Sequence, residues 1–114
     1  MALSIQRRTA HEFVILDLKG RATIGVENDR LNEALRGELT AGTRRLLVNL
    51  TDLAQVDSSG LATLVRTFVS MQRSGGVMRL AVPAGRVREV LDALQLSRAM
   101  TYHTDEASAL ASAA

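Results

Sequence analysis

The chain has 114 residues, with 14 Lys and Arg against 12 Asp and Glu, a formal net charge of +2 and no Cys. Without Cys it has no disulfide, thiolate zinc site or thiol nucleophile. The aromatics are few (Phe13, Phe68 and Tyr102), and the Arg residues are scattered, with Arg7-Arg8 and Arg44-Arg45 as short pairs; this argues against a base-stacking surface and a basic stripe, hence against direct nucleic-acid binding.

Thirty-two residues are Leu, Ile, Val or Phe, enough for an aliphatic core, and the length fits a single domain over 1–114. In chain order, residues 3–8 read as an edge strand, with 9–12 as a turn. The apolar run Phe13 to Leu16 and the alternation through Leu18 predict a second strand, stopped by Gly20. Leu31, Leu35 and Leu39 recur every four residues with charges between them, so 26–39 reads as an amphipathic helix ending near Gly42. Residues 45–50 form a short run without alternation, as in a strand covered on both faces. Leu61, Leu64, Val65, Phe68 and Met71 then fall at helical spacing over 59–73, and Ser74-Gly75-Gly76 closes that helix. A buried strand at 77–82, a helix over 86–94, a short strand at 100–103 and an acidic-led helix over 105–113 complete the pattern. Strands and helices alternate with short links, which predicts an α/β fold with one sheet and crossover helices.

Between the strand at 45–50 and the helix at 59–73 stands Asp57-Ser58-Ser59-Gly60. Asp57 or Ser58 is a natural N-cap, and a cap alone would account for the polar residues. The same place also suits an anion, because a helix N-terminus offers free amides and a positive dipole end. A phosphate on a hydroxyl there would add close to two negative charges without breaking the fold.

The segment "LLVNLTDLAQVDSSGLATLVRTF" resembles the signature of the STAS domain family, and within it the bacterial anti-sigma-factor antagonists. The matching positions are Asn49-Leu50, Asp52-Leu53 and Asp57-Ser58-Ser59-Gly60-Leu61, followed by Gly75-Gly76 before "VMRLAV". The resemblance implies a small mixed, mostly parallel sheet of four to five strands, with four helices mainly on one face. It implies partner switching: the unmodified protein binds an anti-sigma factor that is also a serine kinase, and so frees a sigma factor. Phosphorylation of Ser58 weakens that complex, and a phosphatase resets it. Asp57, Ser58, Ser59, Gly60 and Leu61 are the partner-binding residues so implied, flanked by the loop at 20–25 with Arg21 and Thr23. That loop departs from the family pattern: many antagonists carry an acid there, whereas this chain has Arg21 and then Thr23.

Other readings fare worse on the residues. A nucleophilic Ser58 would need a base; His11 and His103 are the two His residues, and no Gly-x-Ser-x-Gly elbow is present. No P-loop ending occurs, and two His without Cys make a poor metal set, so no enzyme activity, cofactor or metal is expected. The rival within the resemblance is a non-switching scaffold subunit of a stress-signalling assembly, or an accessory subunit of a lipid-transport ATPase. The N-terminus "MALSIQRRTA" lacks an apolar leader and no run of about 18 apolar residues occurs, so a cytoplasmic protein without membrane insertion is expected. The edge near 3–8 could pair weakly with a second copy.

Overall fold

The computed structural model describes residues 2–111. Residues 112 and 113, included in the last predicted helix, lie outside the described residues. Five strands form one sheet in the order β1-β2-β3-β4-β5. They are β1 (Ser4–Ala10), β2 (Phe13–Ala22), β3 (Arg45–Val56), β4 (Val77–Ala81) and β5 (Tyr102–His103). β1 pairs antiparallel with β2, and every other pairing is parallel. Four helices connect or follow them: α1 (Val26–Thr40), α2 (Ser58–Arg73), α3 (Arg86–Ala93) and α4 (Glu106–Ala111).

Alternation along the strands builds two cores. On one face Leu16, Leu18, Leu46, Val48, Leu50 and Leu80 meet Leu31 and Leu35 of α1, Leu64, Phe68 and Met71 of α2, and Val87 and Leu91 of α3. On the other face Phe13, Ile15, Leu47 and Ala81 are covered by Ala109 of α4. The helices therefore lie mainly on one face, as the resemblance implies. α4 is held across the second face by charge as well: Arg8 bonds both Asp17 and Glu106, and Arg79 donates to the Ala109 carbonyl at 2.6 Å.

Two strands outrun their sequence patterns. β2 does not stop at Gly20 but continues to Ala22, and β3 continues from Leu50 to Val56. The two extensions pair with each other, Arg21 opposite Gln55 and Ala22 opposite Val56, beyond a register shift between Gly20 and Arg21. Gly20 is kept inside the strand because its φ is 103° and because a Cβ there would sit 2.0 Å from the Ala2 carbonyl oxygen. The extensions matter for function: they carry the β2–α1 loop and the β3–α2 hinge out together at the same end of the sheet.

Candidate functional site

Asp57 follows β3 in extended conformation (φ −116°, ψ −176°) and caps α2. Its Oδ1 accepts from the amides of Ser59 (3.0 Å) and Gly60 (3.2 Å) and from the Ser59 hydroxyl (2.5 Å). Its Oδ2 accepts from the Ile24 amide at 2.8 Å. The Asp57 amide in turn donates to the Ala22 carbonyl at 3.3 Å. One carboxylate thus satisfies orphan amides of α2 and ties the hinge to the β2–α1 loop. Asp57, not Ser58, is the cap.

Partial desolvation pushes the Asp57 carboxyl up, but the Ser59 hydroxyl and the amides of Ile24, Gly60 and Ser59 outweigh it and hold the pKa below the usual Asp value. A carboxyl lowered in the folded state stabilises fully above its unfolded pKa, and that contribution disappears as pH falls through the folded value. Asp57→Ala should therefore lower stability by about 1–2 kcal/mol near neutral pH. Its melting temperature should also decline less steeply than that of wild type below about pH 4. Ser58→Ala, at a position that caps nothing, should change stability by less than about 0.5 kcal/mol. Thermal melts of the three proteins from neutral to acidic pH check both statements.

The two hydroxyls have different fates. Ser59 is half-buried and its hydroxyl is bound to Asp57. Ser58 is the first residue of α2 and is exposed, and its hydroxyl has no hydrogen-bond partner among the described residues. Gly60 is buried: a Cβ there would stand 2.4 Å from the Ala22 carbonyl oxygen and 3.1 Å from the Val56 Cγ2. It lets the first turn of α2 close against the end of β2. Leu61 takes the core position that its helical spacing predicts. It is 4% exposed and packs in the main core, so it supports the hinge from below.

The flanking loop is rigidly built. The Asn28 and Asp29 amides donate to the carbonyls of Thr23 and Gly25, each at 3.0 Å. The buried Thr63 hydroxyl lies 2.9 Å from Asn28 Oδ1, joining α1 to α2. Thr23 is half-buried, and the Arg21 guanidinium pairs with Glu27 at 3.5 Å. Sequence reasoning missed that Ile24 and Val26, on either side of Gly25, are 79% and 67% exposed. Apolar residues just before a helix read as core, and nothing local distinguishes these two. His11 lies in the β1–β2 turn, at the opposite end of β2 from this loop, and His103 pairs with Ala81 in the sheet. Neither bonds Ser58.

Among the described residues no helix is long and apolar enough to cross a membrane. The STAS domain family model matches residues 4–109. No curated protein matches the chain. Among solved structures, a Thermotoga maritima protein assigned as an anti-sigma factor antagonist is similar at 26% identity and TM-score 0.82, over 93% of this chain and 91% of that one. An anti-sigma factor antagonist from Mycobacterium paratuberculosis is similar at 14% identity and TM-score 0.84, over 96% and 92%. The Bacillus cell fate determinant SpoIIAA in its phosphorylated form is similar at 19% identity and TM-score 0.69, over 93% and 96%.

Proposed function

The chain belongs to the STAS domain family, and on that premise we propose that it is an anti-sigma-factor antagonist that works by partner switching at Ser58. In its unmodified form it binds an anti-sigma factor with serine kinase activity and so releases a sigma factor. The kinase transfers a phosphoryl group to the Ser58 hydroxyl, the complex separates, and a phosphatase restores the serine. The observation that carries this reading is the contrast between the two hydroxyls: Ser58 is exposed and unbonded, while Ser59 is held by Asp57. The existence of a phosphorylated form of SpoIIAA, a protein of the same fold, adds precedent.

Physical chemistry suits the switch. A phosphate on the first residue of α2 meets the positive end of the helix dipole, so the fold tolerates it. The same group sets about two negative charges on an exposed position of that surface. A partner packed there would have to desolvate them or leave. In a gel-filtration assay with a purified anti-sigma kinase from the same genome, the wild-type complex should form without ATP and dissociate once ATP is added. The Ser58→Ala complex should persist with ATP. If the mutant complex also dissociated with ATP, phosphorylation at Ser58 would not be the switch.

A further inference from the structure

Among the described residues, four large hydrophobic side chains are exposed: Ile24, Val26, Val69 and Leu94. Ile24 and Val26, the two most exposed, stand within three residues of each other, in the β2–α1 loop and at the first position of α1. Exposed aliphatic pairs on a rigid support are unusual on a surface that stays wet, and they mark contact sites. The support here is unusually complete. The Ile24 amide is bound to Asp57 Oδ2, the carboxylate that caps α2 directly beneath Ser58. Backbone bonds from Asn28 and Asp29 close the loop, and Asn28 is joined to Thr63 of α2. Gly25, at φ 107° with nothing within 4 Å of a Cβ, turns the chain between the two side chains and leaves the space around it open.

Arg21 pairs with Glu27 at 3.5 Å, and the Asp57 carboxylate is occupied by four donors. A partner arriving at this loop meets two exposed aliphatic side chains beside the Arg21–Glu27 pair. Resting on the reading of the hinge as a partner surface, we propose that Ile24 and Val26 are the apolar anchor of that surface. The protein that engages Ser58 receives them in an apolar socket. The device also links contact to switch: the carboxylate that positions Ser58 positions the anchor, so a phosphate on Ser58 brings its charge and hydration shell to the rim of a contact that depends on being dry.

The test uses the full chain and the anti-sigma kinase from its genome that binds it, measured by calorimetry without ATP. The double variant Ile24→Ser, Val26→Ser should bind about 30-fold or more weakly, as for a hot spot, while keeping the wild-type melting temperature, since both side chains are exposed. Leu94→Ser, at another exposed aliphatic just beyond α3, should bind within about threefold of wild type. Wild-type affinity should change by less than about threefold between low and high salt, because apolar contacts are not screened. Unchanged binding by the double variant, or a tenfold or greater salt-dependent loss by wild type, would overturn the apolar anchor and leave the partner-switching reading standing. Failure of wild type to bind any of these kinases would overturn both.

Discussion

Ser58→Asp is expected to leave the fold intact and to weaken binding of the anti-sigma kinase by about 100-fold, or about 3 kcal/mol. The two halves of this expectation have separate physical origins. Ser58 is exposed and opens α2, so a carboxylate there faces the positive end of the helix and should be neutral or stabilising by a few tenths of a kcal/mol. At a closed interface the same carboxylate must lose its water, a desolvation cost that the unmodified hydroxyl does not carry. Calorimetry against the kinase and a thermal melt measure the two halves independently. Unchanged affinity would mean that Ser58 lies outside the contact.

Gly60→Val is expected to be the most damaging single substitution at the hinge, costing about 3 kcal/mol and lowering the melting temperature by about 10 °C or more. The obstacle is backbone: a Cβ would stand 2.4 Å from the Ala22 carbonyl oxygen, and that oxygen already accepts from the Asp57 amide. Side chains could rotate away, but the end of β2 cannot move without breaking its pairing with Val56. Relief must come from tilting α2 outward, which opens the core around Leu61 and Leu64. A melting temperature within 2–3 °C of wild type would show that the turn has slack the geometry does not suggest.

Much of this architecture was legible in the chain. The helical spacing of Leu31 and Leu35, and of Leu64, Phe68 and Met71, marks buried faces that the structure places in one core. The hinge stood out because an acid, two hydroxyls and a glycine interrupt two apolar runs. What stayed hidden is non-local. Gly20 reads as a stop, yet it lies within β2 because the N-terminal backbone crosses directly over it. The extension of β3 to Val56 depends on pairing with residues that a strand ending at Gly20 would not supply. Asp57, which caps α2 through Oδ1, also takes the amide of Ile24, 33 residues earlier in the chain, on Oδ2. Leu61 belongs to both the core spacing of α2 and the signature segment, and it is buried in the core. The exposure of Ile24 and Val26 follows from the outward course of a loop whose anchor is that same distant carboxylate.

The central claim is that Ser58 is the hydroxyl through which a kinase switches this protein. Incubation of the purified chain with ATP and each anti-sigma kinase of its genome, followed by intact and peptide mass spectrometry, tests it most directly. The account predicts one phosphate, on Ser58, from one such kinase, and none on the Ser58→Ala protein. Stable binding to a kinase with no phosphate transferred, or a phosphate found on Ser59 with Ser58 unmodified, would contradict it. With no phosphate transferred, the hinge would be a fixed contact surface, as in a scaffold or transporter-accessory subunit.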